Sequence, residues 1–279
     1  MSTPRPYRVS TITCNGSIGK EVEEVYLDKL YNLLPIVPLT NPTGFVYAID
    51  RHGKEFKGIM PKKEKKLQKK PATLEEVYKK RRFDNALSSY YKLADQYFPS
   101  VKIFKNGTIQ MTGVRTIEDG NQLNQEVCEV IKQLVASHPD LVKTPKIECC
   151  NFIVRLINSD FSVPFHIRRK ELHQLLISNE YQNSSSFQPG TYPGVKLQYF
   201  WNINNPSGGR CVCQNKCFGK GDGYSDGHCK KITISIFESG KILITGGINF
   251  QQIDNAYDYI NTVFNKHLTT LKKIELLPC

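Results

Sequence analysis

The chain has 279 residues, 39% hydrophobic and 23% charged, values that exclude a wholly disordered protein and suit one large core or two medium ones. Its net charge of +12 favours a polyanionic partner such as nucleic acid, although a merely soluble basic protein would carry the same excess. No apolar run nears the ~18 residues of a membrane span, and the opening MSTPRPYRVS lacks a signal peptide's apolar segment, so an intracellular protein without a membrane partner is expected.

The first element is a strand, YRVSTIT, followed by Val22, Val25, Leu30 and Leu33 on one helical stripe. A short strand-like piece, GFVYAID, then lies in an insertion spanning about 36–80, with the polar run PKKEKKLQKK. That run reads as a solvated or disordered loop, with a nonspecific phosphate-binding arm as the functional alternative. Next comes VKIFKNGTIQMTG at 101–113, in which two alternating segments flank Asn106-Gly107, a strong hairpin signal. Val101, Ile103, Ile109 and Met111 share one face. Phe104 falls on the other, with Lys102, Gln110 and Thr112. A helix-period segment follows, with Leu123, Val127, Val130, Ile131 and Leu134 on one side.

The same elements then recur. NFIVRLI is a strand and RRKELHQLLIS a helix. The hairpin ISIFESGKILITG at 234–246 shares the pattern I-F-x-x-G-x-I-x-x-T-G with the first, and Ile253, Tyr257, Ile260 and Phe264 mark the closing helix. The chain reads as a duplicated β-α-β-β-β-α unit of α+β class, dividing at 1–142 and 143–279.

A second insertion, about 204–230, is rich in turn residues and is expected to be an extended loop. It holds Cys211, Cys213, Cys217, Cys229 and His228. Nine cysteines in a chain without a secretory signal read as thiols or metal ligands, not as a disulfide framework. The four loop thiols, with His228 as an alternative ligand, could hold a structural Zn²⁺; the competing reading is a loop of free thiols. No H-E-x-x-H or G-x-S-x-G motif occurs, and GKGDG lacks the phosphate-loop frame, so no enzyme is expected.

The two hairpins, with YRVSTIT, RRF at 81–83 and TYPGV at 191–195, resemble the TATA-box-binding-protein family, above all its divergent members in large double-stranded DNA viruses of eukaryotes. The resemblance implies two half-saddles forming one curved antiparallel sheet, with helices on the convex face and DNA under the concave one. Ile103, Ile109, Met111, Ile236, Ile242 and Ile244 would then form the core. Phe83 and Phe104, and Tyr192 and Phe237, would be wedges that part base steps. Phe83 has a competing role as a core ring, and the Tyr192 hydroxyl requires a partner once buried.

By parity and family position, Val9, Lys102, Gln110, Thr112, Asn151, Ile153, Ser235, Leu243 and Thr245 would line the concave face. Tyr7 stands where the family has its first Asn. Lys102, Gln110 and Ser235 make this face more polar than the family's apolar saddle. Arg82, Arg115 and Lys241 match positions near the phosphates, with solvated surface charges as the alternative. The resemblance implies a transcription initiation factor that bends promoter DNA and works with other initiation factors and RNA polymerase. Its site would be the host nucleus or a cytoplasmic site of viral replication. The rival is a saddle-fold interaction scaffold with weak or nonspecific DNA binding.

Overall fold

The structure is a computed structural model and describes residues 6–61, 85–143 and 146–273. The chain forms two compact units, Ile12–Val154 (the first unit) and Met1–Thr11 with Arg155–Cys279 (the second unit). The expected division at 142/143 falls inside the first unit. The first unit contains β1 (Arg8–Ser17, whose opening residues belong to the second unit), α1 (Leu27–Leu33), β2 (Gly44–Ile49), β3 (Phe56–Gly58), β4 (Ala86–Lys92), β5 (Ser100–Phe104), β6 (Thr108–Val114) and α2 (Ile117–Ser137). Its strands run in the order β3-β2-β4-β5-β6-β1, each pair antiparallel.

The second unit contains β7 (Cys150–Ser162, whose first residues belong to the first unit), α3 (Arg169–Ile177), β8 (Ser184–Gln188), β9 (Tyr192–Trp201), β10 (Lys230–Ile236), β11 (Lys241–Gly247), α4 (Phe250–Lys266) and α5 (Leu268–Leu271). Its antiparallel order is β8-β9-β10-β11-β7. Among the described residues no helix is long and apolar enough to cross a membrane.

Three sequence expectations change. The first unit has two strands more than β-α-β-β-β-α allows, and the second has one. GFVYAID is not insertion but strand β2, paired to β4, and the serine-rich SSSFQ is strand β8, paired to β9. Serines carry little strand signal; here β8 is an edge whose order comes from its neighbour. The first helix is also shorter than its apolar stripe. The Val25 amide donates to the Lys105 carbonyl at 2.7 Å and Val25 bridges to Val142. Those bonds hold Val25 outside the helix, which starts only at Leu27. The lysine-rich run lies outside the described residues, apart from Pro61.

Each unit buries one sheet face under helices. In the first, Ile12, Cys14, Val101, Ile103, Ile109 and Met111 are fully buried, as are Leu123, Val127 and Ile131 of α2. In the second, Ile234, Ile236, Ile242 and Ile244 are matched by Ile253, Ile260 and Phe264 of α4. Each such side chain contributes about 1.5–3 kcal/mol when removed from water. Both long helices start on a side-chain cap: Thr116 accepts from the Asp119 amide at 3.0 Å, and Asn249 from the Gln252 amide at 2.9 Å. Both hairpins turn on a glycine with positive φ, +77° at Gly107 and +79° at Gly240, a conformation costly for any residue with a Cβ.

Candidate nucleic-acid interface

The sheet face opposite the helices is built by register. In the first unit Ser88 pairs with Lys102, Lys102 with Gln110, and Gln110 with Asn15, so one polar row crosses four strands. A second row runs Tyr90, Ser100, Thr112, Thr13. Directly opposed residues hold their Cβ atoms about 4.5–5.5 Å apart. Lys102, Gln110 and Thr112 therefore stand on one face, as the alternation implied. Phe104 shares it, half-buried at the end of β5 and paired with the small Ala86.

In the second unit the corresponding rows are Lys196, Ser235, Leu243, Asp160 and Gln198, Thr233, Thr245, Asn158. Ser186 and Ser184 of β8 extend them. Ser235, Leu243 and Thr245 thus share a face, with Ser235 buried among its neighbours. Asp160 is not a free charge. Arg8 grips it with two hydrogen bonds, at 2.9 and 3.0 Å, and Lys241 Nζ lies 3.6 Å away. The Arg8 guanidinium, above all by hydrogen bonding, holds the Asp160 carboxyl below its ordinary value despite partial burial. Lys241, expected near phosphates, has this internal partner.

Val9 does not belong to the open face. Arg8 reaches Asp160, and the Ser10 hydroxyl donates to the Asn158 carbonyl at 3.0 Å, so these two residues take that side. Tyr7 turns the other way, its ring 5.6 Å from Tyr257 and its hydroxyl donating to Asp254 of α4. Period two places Val9 with Tyr7 on the helix side. This also gives Tyr7 a packing role where the family has a groove-facing Asn.

The aromatic pair of the second unit is well defined. The rings of Tyr192 and Phe237 lie 5.7 Å apart with planes tilted by 56°. Lys196 Nζ sits 4.1 Å from the centre of the Tyr192 ring, which puts the pair on the open face with Lys196. Gly194 leaves room for it: a Cβ there would come within 2.9 Å of Tyr192 and 3.2 Å of Phe237. The first-unit counterparts Phe83 and Arg82 lie outside the described residues.

At the start of β7, in the first unit, Asn151 is exposed with φ +55°. Ile153 is 41% exposed, an unusual state for an isoleucine in a strand interior. Phe152 points to the opposite side, close to Gly120 of α2. Arg115 is exposed and lies 4.1 Å over the Tyr97 ring. The Tyr97 hydroxyl in turn donates to Asp119 at 3.0 Å, so the guanidinium has a rigid seat.

The sulfur atoms of Cys211, Cys213, Cys217 and Cys229 all lie within 4.8 Å of one another. His228, the alternative ligand, is exposed and not part of this group.

No family model matches the chain. A protein of Acanthamoeba polyphaga mimivirus called "TATA-box-binding protein-like" is 31% identical over 222 residues, 76% of this chain and 53% of that protein. The resemblance to the TATA-box-binding-protein family holds. The TATA-box-binding protein of Methanococcus maripaludis (strain C7) is 22% identical over 173 residues, 62% of this chain and 68% of that protein. The solved structure of Methanococcus jannaschii TBP superposes with a TM-score of 0.49 at 12% identity, covering 94% of this chain and 99% of that one. The chain spans about half the length of the mimivirus relative.

Several open-face residues lie outside the set that the family resemblance implies: Arg8, Asn15, Ser88, Asn158, Asp160, Lys196, Gln198 and Thr233. One signal was available. In VKLQYFW the apolar Val195, Leu197, Tyr199 and Trp201 alternate with Lys196, Gln198 and Phe200, so period two alone sets Lys196 and Gln198 opposite the core. Arg8 carried no such signal, because it follows from a strand whose buried side changes from odd to even residues, Tyr7 to Ile12.

Proposed function

We propose that this chain is a DNA-binding transcription initiation factor that binds the minor groove of promoter DNA and bends it. In this proposal its two units act as the two half-saddles that the family resemblance implies. The observation that carries it is the Tyr192–Phe237 pair. Two large rings occupy the sheet face opposite the helices, beside a lysine, with a glycine leaving space for them. A core role is served by the other face. Rings so placed can enter a base step, where unstacking is offset by the wider contact that a bent duplex allows. The polar rows suit the rest of the task. Gln110, Asn15, Asn158 and the threonines can donate to the N3 and O2 acceptors of A·T pairs, while Lys102, Lys196 and Arg115 can meet phosphates.

The proposed partners are double-stranded DNA and, through it, initiation factors and RNA polymerase machinery. The second reading, an interaction scaffold with weak or nonspecific DNA binding, draws on Asp160, a carboxylate on the very face that would meet a polyanion. Selection of bound duplexes from a random-sequence pool separates the two. Enrichment of A·T-rich sites, with affinity falling by about 0.9 log units per neutralised phosphate for each log unit of salt, supports the initiation factor. Sequence-blind binding supports the scaffold, and no binding at low salt overturns both.

A further inference from the structure

We propose that the connection between β9 and β10 is a structural zinc site in which Cys211, Cys213, Cys217 and Cys229 are the four ligands. Residues 202–229 contain no helix and, apart from the bridge of Lys220 to Lys230, no strand pairing. Connections beyond about 12–15 residues without secondary structure are uncommon in compact proteins and require some other source of order. Here four sulfurs converge. Cys213 and Cys229 stand 3.3 Å apart, Cys229 and Cys211 3.7 Å apart, and all four fit within 4.8 Å.

Those lengths decide between the chemistries open to thiols. A disulfide requires about 2.05 Å between sulfurs and would unite two of them, not four. A zinc ion bound tetrahedrally at about 2.3 Å sets its sulfurs roughly 3.8 Å apart, close to the separations observed. Hydrogen bonding between thiols is too weak to gather four of them, since S–H is a poor donor and sulfur a poor acceptor.

The surroundings fit thiolates. The amides of Gly219 and Cys229 are aimed at the Cys217 sulfur and that of Cys213 at the Cys211 sulfur, the kind of donor that supports metal-bound sulfur. Cys229 is buried at the foot of β10, and Asn202 at the end of β9 donates to its sulfur at 3.7 Å and to the Ser225 carbonyl at 2.9 Å. The ion would therefore tie the loop to both strands it joins. Asp226 already clamps the amides of Gln214 and Asn215, each at 2.9 Å, between the second and third ligands. His228 is spare: its backbone pairs with Ser225 and Gly223, and its ring stays outside the sulfur group.

The test is elemental analysis of the full chain purified without chelator, which should find about one zinc per chain, the count for one four-coordinate site. Replacing zinc by Co²⁺ should give the visible absorption of tetrahedral thiolate ligation, a readout that needs no variant. Cys217→Ser should lower zinc affinity roughly 10-fold or more, whereas Cys149→Ser, outside the loop, should retain the metal. Chelation should speed amide exchange within 202–229 and leave β5 and β6 unchanged. Four titratable thiols without metal, a disulfide found by mass spectrometry, iron in place of zinc, or a Cys217→Ser chain with undiminished zinc would each overturn the site.

Discussion

Across the open face of the first unit run Ser88, Lys102, Gln110 and Asn15; the same register positions in the second unit hold Lys196, Ser235, Leu243 and Asp160. Not one residue is retained. On the helix-covered face the matching positions hold Val101 and Ile234, Ile103 and Ile236, Ile109 and Ile242, Met111 and Ile244: aliphatic or methionine in every pair. Close packing against a helix restricts volume and polarity, so these positions tolerate only near-equivalents. A face without a helix over it is free of that restriction. Two of its positions nonetheless match, Phe104 with Phe237 and Thr112 with Thr245. Packing against the helices does not impose these matches.

The largest effect that can break this comparison concerns the core. Ile103→Ala and Ile236→Ala should each cost about 2–5 kcal/mol, measured by urea denaturation, with similar values in the two units. A cost below about 1 kcal/mol at either position would mean that the two cores are not equivalent. The neighbouring aromatics should behave differently. Phe237→Ala loses the ring contact with Tyr192, worth about 0.5–1.5 kcal/mol, and little else in stability. Phe104→Ala should likewise leave a folded protein. Both should reduce DNA bending, read by energy transfer between dyes at the ends of a bound duplex, with Phe104→Ala removing more because Tyr192 is a less apolar companion than a second Phe. A parental bend in both variants would remove the wedges from the proposal.

Much of this contrast was legible in the sequence. Period two in VKIFKNGTIQMTG and ISIFESGKILITG separates the isoleucines from the phenylalanines without any structure, because a strand pattern fixes faces. What escaped depended on long-range pairing. SSSFQ has no apolar alternation of its own and becomes β8 only because β9 is there to bond it. Val22 and Val25 fit a helical stripe, yet the Lys105 carbonyl takes the Val25 amide. Straight parity along β1 puts Val9 on the open face, whereas the buried side changes between Tyr7 and Ile12. No local pattern records that change.

Asp160 offers a smaller and sharper probe. It occupies the place of Asn15 in the first unit, and it engages Arg8 and Lys241. Asp160→Asn makes the two units alike at this position and releases the two cations from a carboxylate. Affinity for duplex DNA at low salt should rise, and the slope of log affinity against log salt should steepen by about 0.9 for each phosphate newly met. Asn15→Asp, the reverse exchange in the first unit, should weaken binding, since no arginine is supplied with it. If Asp160→Asn binds DNA no better than the parent, the second unit's open face is not in contact with phosphates, and the scaffold reading gains.

The smallest expected effect is the pH dependence of that ion pair, and its sign is fixed by the direction of the shift. The folded protein holds the Asp160 carboxyl below its ordinary value, chiefly through the Arg8 hydrogen bonds. A carboxyl so lowered binds a proton less readily in the folded chain than in the unfolded one, where it titrates near about 3.9. Its contribution to stability is therefore complete above that value and is lost as pH falls through the folded one. Arg8 is exposed, so solvent screens the pair and the contribution is modest. Other carboxyls are lowered too, Asp50 and Glu238 among them, so the parent's acid unfolding alone reports a sum. The difference between the parent and Asp160→Asn isolates the pair. It should be constant from neutral pH down to about 5, then shrink towards zero in stronger acid, where the parent's carboxyl is neutral as well. A difference that grows as pH falls, or one that does not change down to the acid limit of folding, would show that the charge of Asp160 is not what Arg8 stabilises.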